Sequence, residues 1–267
     1  MKKKIVALAL VFVMLAVAVT SATLAYLTDK DSAVNTFTVG HVKIQLVEQQ
    51  RGENGLEPFK QSKKLLPIVG SAQGEKDQYG MPLAKNYVDK MVTVKNTGSE
   101  DAYIRVYIAI PSALDDGYET FNAGLNVVHF NFGNKVVEGK VVSTYDTDWT
   151  WKHDLKWNYF ETTIDGVSYN VYFADYNTVV KAGEETTRAI DGVYFDKSVN
   201  FTTDEQGNLV CEAFGETVTG FVWENGVKFP VFAVACQAEG FANASEAMKE
   251  AYGATFNPWG TEATNWQ

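Results

Sequence analysis

Histidine and cysteine are scarce in this 267-residue chain, which has three of the first and two of the second. His41, His129 and His153 stand far apart, and none lies in an H-E-x-x-H pattern. No two have the i,i+4 helical spacing that a helix-borne zinc site requires. Asp154 and Glu161 are the acids that could join His153, in a strand-like segment where a histidine on a sheet surface is the simpler account. There is no G-x-S-x-G, and neither cysteine has a histidine nearby, so nucleophilic hydrolysis has no support. No catalytic residue, metal site or cofactor is expected. The pairs Asp29-x-Asp31 and Asp146-x-Asp148 lack the following Gly and Glu of an EF-hand loop and read as solvated turns. Clustered positive charge is missing too: beyond Lys2, Lys3 and Lys4 no basic run occurs, and the formal net charge is −10. Such a surface repels nucleic acid, which is excluded as a partner. Proline numbers six and forms no linker; there is no Ser/Gly-rich stretch, no low-complexity tract and no repeat of fixed period.

A long apolar run occurs once. Lys2, Lys3 and Lys4 precede the apolar stretch from Ile5 to Val19, and Thr20, Ser21, Ala22 and Thr23 follow. This is the order of a secretory signal. Fifteen helical residues would cover roughly 22 Å, short of the ~30 Å hydrocarbon core that an uncleaved anchor must span. Thr23 and Ala25 suit the −3 and −1 positions of a signal peptidase site, placing scission between Ala25 and Tyr26. Removal of 1–25 would leave 20 of the 23 basic residues against 33 acidic ones, deepening the charge from −10 to about −13. The expectation is a protein secreted by a Gram-positive bacterium, extracellular or cell-surface associated, with no stable membrane anchor after cleavage. The closing NPWGTEATNWQ carries no hydrophobic tail or basic end for covalent wall sorting.

The remaining chain is rich in strand signals. Apolar residues alternate at Phe37 and Val39, then at Val42, Ile44 and Leu46, and the phase slip at Gly40 predicts a bulge or a sheet crossing. Residues 49–86 are polar and turn-rich and read as a surface excursion. Val92 and Val94, then Ala102 through Ile110, alternate about the turn NTGSED, and the other face of the second strand (Tyr103, Arg105, Tyr107) looks half wet. More strands are expected near 125–132, 135–145 and 156–164. Asp165-Gly166 and Asn225-Gly226 each predict a tight hairpin. Phe232–Ala238 is ambiguous, while NASEAMKEAYGA has a helix start, interior and glycine stop. The whole predicts an all-β, jelly-roll-like antiparallel β-sandwich with one or two short C-terminal helices. Its divisions are 1–25 (signal), 26–36 (N-terminal extension) and 37–267 (sandwich domain).

Ala25, Tyr26, Thr28, Asp29, Asn35, Phe37, Gly40 and Val42 together form a small-residue site, an aromatic, a Thr-Asp pair and an Asn-x-Phe-x-x-Gly-x-Val strand. This junction resembles that of secreted proteins processed by the dedicated signal peptidase SipW, the TasA/camelysin (CalY) biofilm-matrix family. VKNTGSEDAYIRVYIAIP and ACQAEGFANASEAMKEAY are similar to clostridial members. The resemblance implies a jelly-roll subunit of extracellular fibres, assembled head-to-tail by N-terminal strand donation. Its partners would be further copies of itself, other matrix components and, during export, the signal peptidase. Tyr26, Leu27, Thr28, Ala33, Val34 and Asn35 would then belong to the donor strand; the alternative is a loose polar end. The family also implies a metalloprotease reading, which the histidine positions disfavour.

Cys211 and Cys236 are separated by 24 residues that include a hairpin signal. In an exported protein they would form a disulfide worth ~3 kcal/mol, or two buried free thiols. Trp149, Trp151 and Trp157 in WTWKHDLKWNYF could stack on glycan rings, or simply alternate on a half-buried strand. The second functional expectation, a monomeric surface module binding glycan or a host protein, rests on that segment.

Overall fold

A computed structural model of the chain describes residues 28–31, 42–61, 63–115, 125–151, 153–154, 156–157, 159–223, 226–253 and 256–260. The signal segment, the cleavage pair Ala25 and Tyr26, and Leu27, Ala33, Val34, Asn35, Gly40 and His41 lie outside these residues.

Two antiparallel sheets pack face to face. The first contains β1 (Thr28–Asp31), β5 (Ala102–Pro111), β9 (Trp149–Trp151), β12 (Phe160–Ile164), β13 (Val167–Tyr176) and β18 (Val231–Gln237). Its order is β1-β18-β5-β13-β12, with β9 also on β13. The second contains β2 (Ile44–Gly52), β3 (Gly55–Pro58), β4 (Val88–Asn96), β6 (Val128–Phe132) and β14 (Ile190–Phe195), in the order β3-β2-β4-β14-β6. Smaller ribbons are β7 (Asn134–Val137) with β8 (Lys140–Ser143), β10 (His153–Asp154) with β11 (Lys156–Trp157), and β15 (Asn200–Thr203), β16 (Leu209–Ala213) and β17 (Glu216–Thr217) together. The β-sandwich is as expected from the alternation. Jelly-roll connections are not established, because β2 and β4 lie side by side in one sheet rather than being parted by strands from later in the chain.

The alternation of β5 explains the layers. Ile104, Val106, Ile108 and Ile110 point inward with Ala233 and Ala235 of β18, and meet Ile44, Val92, Val94 and Ile190 of the second sheet. The opposite face, expected to be half wet, is dry: Tyr103, Arg105 and Tyr107 are 6%, 6% and 0% exposed. Helix α1 (Ala244–Tyr252) and the aromatics Phe256 and Trp259 cover it. α1 starts where Asn243 accepts the N–H of Glu246 and ends at Gly253, whose φ of 82° few other residues adopt. The ambiguous stretch 232–238 is strand β18, since its two faces both find apolar cover.

Covering that face buries an ion pair. Arg105 and Asp175 are direct cross-strand partners on β5 and β13. Arg105 Nε lies 2.5 Å from Asp175 Oδ1, Nη2 3.0 Å from Oδ2, and the guanidinium 4.5 Å from the centre of the Phe173 ring. The two-pronged geometry holds both charges in side chains only 7% and 5% exposed.

Residues 49–86 are more than a surface excursion. β2 continues to Gly52 and turns back as β3; residues 65–87 then roof the outer face of the second sheet, burying Ile68, Ala72, Met81 and Tyr87 against Met91. Arg51 bolts this roof down, reaching Asp89 through Nε (2.8 Å) and Nη2 (2.7 Å) and Asp77 through Nη1 (3.0 Å). The roof escapes a hydrophobic-pattern reading because few apolar residues fix it and polar brackets do the rest. Asp165 (φ 51°) and Gly166 (φ 81°) make the expected β12–β13 turn. Asn225, and with it the expected Asn225-Gly226 turn, lies outside the described residues. Gly226 N–H donates to the Trp223 carbonyl at 3.0 Å, and Trp223 packs into the inter-sheet core.

Asp175→Asn leaves the Arg105 charge buried and should cost about 3–5 kcal/mol in urea unfolding, while Arg105→Met with Asp175→Leu should recover most of that loss.

Candidate functional site

An edge strand exposes unpaired main-chain groups unless something covers it. β18 is flanked on one side by β5 and on the other by the short β1, with Thr28 opposite Cys236, Asp29 opposite Ala235, Lys30 opposite Val234 and Asp31 opposite Ala233. Phe232, Val234 and Cys236 of β18 pack under α1, while Ala233 and Ala235 face the second sheet. The Tyr252 hydroxyl donates to the Ala235 carbonyl at 2.6 Å, tying α1 to this strand. β1 therefore shields a main-chain edge that is apolar on both faces. Thr28, of the expected donor residues, sits in this strand with Asp29, Lys30 and Asp31. TDKD has poor intrinsic strand propensity, and the edge it meets rather than its own composition selects the conformation.

A second concavity lies where the sandwich opens between β4, β14 and the approach to β18, a cleft of about 1070 Å³. Trp223 lines it, edge-on to Phe201 (5.1 Å), Phe195 (6.0 Å) and Phe221 (4.8 Å). Lys63, Lys64 and Lys228 stand in its wall, and Lys90 pairs with Glu48 at 2.5 Å while lying 4.8 Å above the Phe59 ring.

Two of the three tryptophans considered for glycan stacking do not face solvent. Trp149 and Trp151 are 0% and 1% exposed, and the Trp149 indole N–H donates to the Thr187 carbonyl at 3.1 Å. They alternate inward with Phe130, Phe132 and Tyr176. The side chains of Trp157 and His153 lie outside the described residues.

Cys211 and Cys236 are free, buried thiols, so the disulfide considered above is not formed. Cys211 packs in the inter-sheet core and Cys236 beneath α1, where its sulfur lies 4.0 Å from that of Met248. Burial pushes the two thiols up to about 11 and about 12, far from the thiolate that nucleophilic chemistry needs. His129 stacks on Tyr194 at 5.0 Å, and burial lowers its pKa against the opposing pull of Asp196 at 3.4 Å. Asp148, half of an acidic pair, is held by the Lys135 ammonium at 2.6 and 2.8 Å. Among the described residues no group of three or more His, Cys, Asp or Glu side chains converges, and no helix is long and apolar enough to cross a membrane.

Comparison of the chain with protein-family models, with curated proteins and with solved structures returns no match.

Two outcomes follow from this burial. A thiol reagent should leave the native protein unlabelled at pH 8 and modify both cysteines in denaturant. Trp151→Ala should lower unfolding free energy by about 3–5 kcal/mol, as removal of a core aromatic does.

Proposed function

We propose that the protein is an exported structural subunit that polymerises outside the cell by exchange of its N-terminal strand. The reading rests on one observation: a four-residue strand from the chain's beginning covers the edge of β18, near the chain's end. A cover this short is held by a few main-chain bonds, and the same segment of a second copy satisfies them equally well. Exchange of an identical element is a low-cost route to association, and head-to-tail exchange does not close on itself, so it yields filaments. The secretory order of the first 25 residues, the acidic charge and the junction around Ala25 and Tyr26 support the same reading. In it, scission before Tyr26 frees the segment to leave its own β18.

The alternative of a monomeric binding module draws on the apolar cleft beside Trp223 rather than on the buried Trp149 and Trp151. A metalloprotease reading has no convergent ligand set among the described residues to build on.

Protein beginning at Tyr26 should form filaments visible by electron microscopy and raise light scattering. A form lacking 26–36 should stay monomeric, and a free peptide of residues 26–36 should slow growth of the intact form by capping β18. Monomers of both forms would overturn the proposal.

A further inference from the structure

Three chemically complementary side chains meet where the roof of residues 65–87 touches the start of β7. Lys76 Nζ lies 3.1 Å from Asn134 Oδ1, and Asn134 Nδ2 lies 2.6 Å from Asp191 Oδ2. The amide orientation is fixed by its neighbours, since an ammonium only donates and a carboxylate only accepts. With a C=O bond of ~1.23 Å, the Asn134 Cγ is within about 4.3 Å of the lysine nitrogen. Asn134 is 8% exposed and Asp191 fully buried, while Lys76 is half-buried and reaches water.

The backbone around the group is held from every side. Asp77, next to Lys76, accepts the N–H groups of Tyr79 and Met81 and the guanidinium of Arg51. Gly133, before Asn134, lies so close to the Arg188 carbonyl that a Cβ there would fall 1.9 Å from it. Arg188 donates to the Tyr79 carbonyl at 2.6 Å and stands 3.1 Å from the other oxygen of Asp191. Amine, amide and acid are thus presented to one another by anchored chain, the condition under which proximity alone removes much of a barrier.

The geometry points to an autocatalytic isopeptide bond between Lys76 and Asn134, with Asp191 as the proton carrier. Lys76 first loses a proton to solvent. Its neutral amine adds to Asn134 Cγ, forming the Nζ–Cγ bond as the carbonyl electron pair moves to Oδ1. Asp191, as the acid, gives its proton to Nδ2; as the carboxylate so formed, it recovers the proton that Nζ sheds. The oxygen pair returns, the Cγ–Nδ2 bond breaks and ammonia leaves. The sum is lysine ammonium plus amide giving secondary amide plus ammonium ion, with Asp191 restored and no oxidant or reductant used. Burial pushes the Asp191 carboxyl up to about 6, against the opposing pull of Arg188, so an acid form is available close to neutrality. The bond would join positions 58 residues apart and weld the roof to the second sheet.

This inference stands apart from the filament reading and is tested on monomer and polymer alike. The intact mass of the protein from Tyr26 to Gln267 should be lower than the sequence mass by one ammonia. Proteolysis should release a branched peptide joining Lys76 to Asn134. Lys76→Arg, which keeps the charge at a half-exposed position, should carry the full mass and melt at a lower temperature. Asp191→Asn, similar in shape, should fold with the full mass. Wild-type protein at the full mass after prolonged incubation at neutral pH would overturn the proposal, as would an ammonia loss that persists in Lys76→Arg. A bond formed at the wild-type rate in Asp191→Asn would remove Asp191 from its role.

Discussion

The double burial of β5 is the constraint from which the other layers follow. An antiparallel strand can leave one face to water, but β5 carries Tyr103 and Tyr107 opposite its aliphatic row and has no face to spare. One face requires a second sheet, and the other requires a lid, supplied by α1 with Phe256 and Trp259. Between the two tyrosines sits Arg105, and its cross-strand partner Asp175 makes that lid tolerable by matching the charge where solvent is gone. Removal of either partner leaves a bare charge under aromatic rings, a strongly destabilising core defect.

The second sheet solves the same problem with polar material. Beyond the packing of Ile68, Met81 and Tyr87, the segment that roofs its outer face is held by Arg51 on Asp77 and Asp89, and by Arg188 between Tyr79, Asn134 and Asp191. Bidentate guanidinium contacts are directional, so they set the position of the roof more sharply than apolar packing of the same size would. That sharpness is what brings an amine and an amide into contact beside a buried acid. The first sheet's edge is the opposite case: β1 is held by backbone pairing over four residues, which any chain of suitable length can imitate.

How much of this was legible depends on which force places a residue. Aliphatic alternation in 92–94 and 102–110 reads out the sandwich, and Asp165-Gly166 reads out its hairpin, because period and turn geometry are local properties. The helix at Ala244–Tyr252 was equally plain from its Asn243 start and Gly253 stop. The dryness of Tyr103 and Tyr107 was not, since it depends on a helix some 140 residues away. Trp149 and Trp151 misled for the same reason: an aromatic cluster looks alike whether it meets a sugar or Phe130 and Phe132. The Lys76, Asn134 and Asp191 group has no spacing signature at all; three unrelated segments meet there, and a single sequence offers no sign of the meeting.

The pairing of β1 with β18 also sets a clock. Thr28 leaves the ribosome about 200 residues before Cys236, so at ~5–20 residues per second the opening strand waits roughly 10–40 s for its partner. Throughout that interval the first sheet lacks the strand that separates β1 from β5, and β1 has no edge to pair with. β1 joins the sheet only once β18 lies beside β5, and the outer face of both strands is covered later still, when the helix and Trp259 follow.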